Sequence, residues 1–166
     1  MMLRTVIFDL DRTLVQPIPG VTVPNNLLQQ EMIPGVLDRC AALREEGVQL
    51  GIASNQGGVA LGLCTLAETV DRVEYVAEKI SAKKWLMCIH HDKATVDLRF
   101  FHMPYRGIVA DAYYRKPQPG MLLLLMHQLR ATAPDTLFVG DQDSDCEAAR
   151  NAGVQFAWAK DFFGWS

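Results

Sequence analysis

Val6-Ile7-Phe8-Asp9-Leu10-Asp11-Arg12-Thr13-Leu14 is an apolar run that ends abruptly in two carboxylates one residue apart. Its β-branched and aromatic residues favour a strand, which delivers the acids at its tip. Side chains at i and i+2 of a strand share one face, so a strand running unbroken through both would aim Asp9 and Asp11 together. Like charges that close call for a partner. Much later, Leu137-Phe138-Val139 runs into Gly140-Asp141-Gln142-Asp143-Ser144-Asp145, a second apolar strand ending in acids. Two acid-tipped strands can share one hard divalent cation such as Mg²⁺, which takes carboxylate, carbonyl and water oxygens. For either acid pair alone, a solvated turn is the competing reading.

The 166 residues are 49% hydrophobic with a mean hydropathy of +0.05, enough apolar material for one substantial core. A single domain over residues 1–166 is therefore expected. The formal net charge of −3 gives no overall basic field to draw the chain to nucleic acid or an anionic membrane, although a local basic groove remains open. Met1 to Thr5 leads directly into the first strand without a signal-peptide pattern, and the apolar stretch Met121 to Met126 is too short to cross a bilayer. Cys40, Cys64, Cys88 and Cys146 are scattered with no Cys-x-x-Cys pair, which suits reduced thiols and a cytoplasmic location.

Between the acid pairs, Gln16 to Asn26 is rich in Pro and Gly and reads as an irregular flap. A helix opens at Pro34-Gly35, with Val36, Leu37, Cys40, Ala41 and Leu43 at helical spacing, and closes at Gly47. A strand at Val48 to Ala53 follows. Leu66, Val70, Val73, Ala77 and Ile80 then form one apolar helical stripe. Trp85 to Ile89 reads as a strand, and the long connection from His91 to Arg115 carries a short strand at Gly107 to Ala110. Helix Met121 to Ala131, strand Thr136 to Val139, helix Cys146 to Asn151 and strand Val154 to Trp158 complete the pattern. Alternating strands and helices predict an α/β fold, a Rossmann-like and mostly parallel sheet with helices on both faces and ligands at the carboxyl ends of its strands. No large cap domain fits between Thr13 and Ser54, and Cys88 to Lys116 has room only for a loop.

Two further signals lie at strand ends. Ser54-Asn55-Gln56-Gly57-Gly58 can offer a hydroxyl and main-chain N–H groups to a phosphate, and Tyr114-Arg115-Lys116-Pro117-Gln118-Pro119-Gly120-Met121 places cations before a helix. In order, the chain carries Asp9-x-Asp11-x-Thr13, Ser54-Asn55-Gln56, Lys116-Pro117-x-Pro119-Gly120-Met121 and Gly140-Asp141 with Asp145. Over nearly its whole length it resembles the haloacid dehalogenase superfamily of phosphatases. It looks most like the branch holding histidinol-phosphate phosphatase, heptose bisphosphate phosphatase and the 3′-phosphatase domain of polynucleotide kinase.

That resemblance implies an Mg²⁺-dependent phosphohydrolase in which Asp9 attacks phosphorus and Asp11 is the general acid and base. It implies Mg²⁺ held by the Asp9 carboxylate, the Asp11 carbonyl and Asp141, with Asp145 behind them on a metal-bound water. Ser54 and Asn55 would meet the phosphoryl group and Lys116 would neutralise charge. Thr13 is expected to brace the loop and Asp143 to start a helix. Position 12 is commonly glycine in this family; Arg12 here could strain a tight turn or add an anion contact. Arg115, with Tyr113 and Tyr114, serves either substrate contact or loop packing.

Cys88-Ile89-His90 resembles half of a zinc loop found in this branch, but no Cys-x-Cys follows before Lys116, so zinc is not expected. Cys88 should pack in its strand, with His90 and His91 near the substrate entrance. The aromatic tail, Phe162 to Trp165, is expected to dock on its own domain. A small phosphorylated metabolite is the expected substrate, a nucleic-acid 3′ end the alternative, and a noncatalytic metal-binding domain the reading of a different class. The sequence carries no signal of oligomeric state.

Overall fold

The computed structural model describes residues 2–166 and turns the opening apolar run into β1 (Thr5–Phe8), buried on both faces. Val6 and Phe8 enter one apolar cluster and Ile7 the other, the period-two sorting of a central strand. A hairpin of β2 (Val15–Pro17) and β3 (Gln30–Met32) follows, then α1 (Val36–Glu45), β4 (Gln49–Asn55) and α2 (Leu66–Ile80). Next come β5 (Lys84–Cys88), β6 (Ile108–Val109), α3 (Gly120–Leu129) and β7 (Thr136–Gly140). The chain closes with α4 (Asp143–Ala152), β8 (Gln155–Trp158) and α5 (Ala159–Phe163).

Six strands form one parallel sheet in the order β6-β5-β4-β1-β7-β8. Val36, Val73, Ile80 and Ala159 put α1, α2 and α5 against the face that carries Phe8 and Ile52. Met121, Leu125 and Ala149 put α3 and α4 against the face that carries Ile7 and Phe138. The α/β expectation with helices on both faces is thus met, and no large cap is inserted among the described residues. The connections leave β1 in one direction towards β4 and return on its other side as β7. In such sheets the crevice for ligands opens at the carboxyl ends beside that reversal.

Several boundaries differ from expectation. The flap region is anchored by the antiparallel β2–β3 pair, because Val15 and Met32 fall in register across it. Strand β1 stops at Phe8 rather than running through Asp11. The amides of Thr13, Leu14 and Val15 all bond the Leu10 carbonyl, at 3.3, 2.9 and 3.2 Å, and bury Leu10 in a tight loop. Helix α4 begins at Asp143, as expected for that residue, and so earlier than the apolar pattern alone indicated. The tail contains the unexpected α5 and docks as expected: Phe162 and Phe163 lie 5.8 and 5.9 Å from Phe8, ring centre to ring centre.

Candidate active site

Strand ends bring the predicted residues into one place. Asp9 follows β1, and its amide still bonds the Val139 carbonyl at 2.9 Å, which fixes it beside the end of β7. Ser54 and Asn55 end β4, Asp141 follows β7, and Asp145 lies in the first turn of α4. Lys116 arrives from the long connection before α3 and is 3% exposed. Its ammonium donates to Asp9 Oδ1 at 2.9 Å, Asp145 Oδ1 at 2.6 Å and the Ala53 carbonyl at 3.0 Å. Three acceptors match the three protons of an ammonium, so this buried cation is fully satisfied.

Asp145 Oδ2 accepts from the amides of Asp141 and Gln142, at 3.1 Å each, so both of its oxygens are engaged. Gly140 makes room for it: a Cβ there would fall 2.5 Å from Asp145 Oδ2. Asp9, Asp141 and Asp145 each offer a ligand atom within 4.8 Å of the others. Three carboxylates against one ammonium leave the cluster short of positive charge. Burial first, then the Asp145 and Asp141 charges, push the Asp9 carboxyl well above its usual range against the pull of Lys116. Burial and the Asp145 charge also raise Asp141. Burial would lower the Lys116 ammonium, but Asp9 and Asp145 overcome it and hold it above its ordinary value.

The donor set fits a hard divalent cation. Asp141 Oδ1 is buried without a hydrogen-bond partner, which is expensive unless a cation takes it. With Asp145 fully engaged, the carboxylate oxygens of this cluster left for an ion belong to Asp9 and Asp141. No zinc set forms among the described residues: Cys88 Sγ faces the Asp111 carbonyl at 3.7 Å, and His90 pairs with Asp92 at 3.1 Å.

A small pocket of about 130 Å³ opens here, walled by Asp9, Asp11, Arg12, Asn55, Lys116 and Asp145 among others. Arg12 sits in the left-handed region at φ 62°, so the turn does take the conformation that favours glycine. Asn55 accepts from the Lys116 amide and donates to the Lys116 carbonyl, both at 3.0 Å, tying the lysine loop to β4. Ser54 is buried and accepts from Gln56 Nε2 at 2.8 Å. Arg115 turns away to bond the His90 carbonyl at 3.1 Å, and the Thr13 hydroxyl has no partner. A larger hollow of about 1050 Å³ lies at the β6 edge, but among the described residues it gathers no set of three metal-ligating side chains.

Arg72 and Gln30 carry no sequence motif, and Gln56 stands in the Ser54-Asn55-Gln56 motif without an expected role of its own. All three are buried and together hold Asp11, whose carboxylate pairs with Arg72 and accepts from Gln56 Nε2 at 2.9 Å. One signal was present: Arg72 falls one helical turn from Val76 on the buried side of α2, where an apolar residue is the default.

Residues 4–163 match the family described as polynucleotide kinase 3 phosphatase. The D-glycero-beta-D-manno-heptose-1,7-bisphosphate 7-phosphatase of Yersinia pestis is 28% identical over 129 residues, covering 75% of this chain and 64% of that protein. The enzyme of the same name from Escherichia coli is 31% identical, covering 75% and 63%. The matched segment thus spans just under two thirds of these relatives. In fold, the chain is similar to the crystal structure of D,D-heptose 1,7-bisphosphate phosphatase from B. bronchiseptica in complex with magnesium and phosphate. That TM-score is 0.72 at 21% identity, over 93% of this chain and 79% of the other.

Proposed function

Since the chain belongs to the polynucleotide kinase 3 phosphatase family, a branch of the haloacid dehalogenase superfamily, we propose that it hydrolyses a phosphate monoester of a small metabolite, residues 1–166 acting as one phosphatase domain. The observation that carries this reading is the buried cluster of Asp9, Lys116 and the unpartnered Asp141 oxygen at the sheet's reversal point. Hydrolysis of such esters is extremely slow unaided, so a nucleophile, a proton donor and neutralising charge are all required.

Asp9 attacks phosphorus and forms an aspartyl-phosphate as the bond to the ester oxygen breaks. The departing oxygen takes a proton from Asp11. Water then attacks phosphorus, giving a proton back to Asp11 and releasing phosphate and the Asp9 carboxylate. Lys116 lowers the charge on Asp9 and the phosphoryl group, Arg12 in the pocket wall meets phosphoryl oxygens, and the Ser54 hydroxyl, which accepts from Gln56, keeps its own proton to donate to one of them. Asn55 holds the Lys116 loop at the rim, Arg115 braces that loop through the His90 carbonyl instead of meeting the substrate, and Asp145 keeps Lys116 and the Asp141 main chain in place. Mg²⁺, held by Asp9, Asp141 and the Asp11 carbonyl, would neutralise negative charge on the phosphoryl group. Unpaired thiols throughout the chain accord with a cytoplasmic site of action.

The names of the relatives favour a sugar phosphate, and a histidinol-phosphate type of substrate stays within the same class. The description of the matched family favours a polynucleotide 3′ end instead. Phosphate release from sugar phosphates, histidinol phosphate, nucleotides and 3′-phosphorylated oligonucleotides, with Asp9→Asn and EDTA controls, separates these readings. A metabolite should win, with weak salt dependence; steep loss of binding with salt would mark a nucleic-acid substrate. Failure on the whole panel with Mg²⁺ binding intact would favour a noncatalytic metal-binding domain.

A further inference from the structure

Helix α2 presents a buried face of Val73, Val76, Ala77 and Ile80, yet on that face stands Arg72, 3% exposed. A guanidinium taken out of water is costly unless its donors find acceptors. Here Nε donates to Gln30 Oε1 at 2.8 Å, one terminal nitrogen donates to Gln56 Oε1 at 3.3 Å, and the other pairs with Asp11 Oδ1. Gln30 donates back to the Arg72 carbonyl at 3.2 Å, clamping the helix main chain to β3. Gln56 Nε2 donates to Asp11 Oδ2 at 2.9 Å and reaches Ser54 Oγ at 2.8 Å. Both Asp11 oxygens are therefore held from the protein side, while 39% of its side chain stays open. An ionised carboxylate has about four lone-pair sites, so acceptor positions remain on the open side.

A buried ion pair rarely adds net stability over apolar residues of the same volume. What it supplies here is direction. We propose that Arg72, oriented by Gln30 and Gln56, is a positioning residue that fixes the Asp11 carboxyl for proton transfer to and from the reacting oxygens, an inference that rests on the phosphatase reading above. Arg72 touches none of those atoms and acts only through where Asp11 stands. Displacements of about 1 Å at such a group are enough to slow a reaction by about 10²-fold.

The test compares two aryl esters. The nitrophenolate of p-nitrophenyl phosphate departs readily without a proton, whereas the phenolate of phenyl phosphate gains more from one. Arg72→Met should lower kcat/KM on phenyl phosphate by about 10²-fold, the scale of a lost general acid, with a much smaller loss of kcat/KM on p-nitrophenyl phosphate, because kcat/KM reports the departure of the leaving group and not the water step the two esters share. Asp11→Asn gives the reference pattern. Gln30→Met, which keeps the guanidinium, should move the same way by a smaller factor and serves if Arg72→Met does not fold. Equal losses of kcat/KM on both esters in a folded variant would overturn the proposal. So would a crystal structure of Arg72→Met in which the Asp11 carboxyl has not moved. Failure of the unaltered chain on both esters would count against the phosphatase reading instead, and that crystal structure alone would then decide the positioning claim.

Discussion

Arg12 occupies a left-handed turn that glycine enters without strain, so its side chain is retained at a conformational cost. Arg12→Gly should raise stability by roughly 0.5–1 kcal/mol in urea unfolding. It should also raise KM if the guanidinium meets the substrate; an unchanged KM would remove Arg12 from the binding set. Lys116 carries the opposite balance, a buried cation between Asp9 and Asp145. Lys116→Met leaves two buried carboxylates without their shared partner. About 3–5 kcal/mol of stability should be lost in metal-free urea titrations, the scale of a broken buried pair. A loss below about 1 kcal/mol would mean that the acids are neutralised some other way.

At the scale of elements, the site is a product of strand ends and the helix that follows them. Asp145 is at once a partner of Lys116 and the acceptor for the amides that open α4, where a helix N-terminus favours negative charge. The β7–α4 junction can hold it only because Gly140 has no side chain. Gly140→Ala would place a methyl 2.5 Å from Asp145 Oδ2. Turnover should fall by at least about tenfold as Asp145 and Lys116 shift, with the far-ultraviolet circular dichroism spectrum retained. Wild-type turnover in that variant would show that the junction yields elsewhere. The α2 helix illustrates what periodicity could not supply. Its apolar stripe located the helix and its spacing puts Arg72 on the buried side, yet it cannot reveal that the guanidinium meets Asp11, because that depends on Gln30, Gln56 and Asp11 arriving from other elements.

Across the whole molecule, two apolar layers enclose one parallel sheet, and they determine which thiols meet solvent. Cys40 lies in the layer with α1 and Cys88 in the opposite one. Burial pushes the Cys40 thiol up to about 12 and the Cys88 thiol up to about 11. A raised thiol has less thiolate at a given pH, and thiolate is the reactive form. Iodoacetamide at pH 8 should therefore spare both in the native protein while modifying the partly exposed Cys64 and Cys146, as peptide mass spectrometry would show. Denaturant should make all four react alike. Early modification of Cys40 would mean that the layer beneath α1 opens under native conditions.

The sequence by itself determined the alternation of strands and helices, the acid-tipped ends of β1 and β7, and the order of the four motifs. These are local properties, carried by side-chain periodicity and by residue types adjacent in the chain. Only the tertiary structure decided that β1 ends at Phe8, that Asp145 shares Lys116 with Asp9, and that Asp11 is held by Arg72. The physical reason is that each depends on groups far apart in the chain. A buried charge must find its counter-charge wherever packing brings one, and sequence spacing does not record that distance.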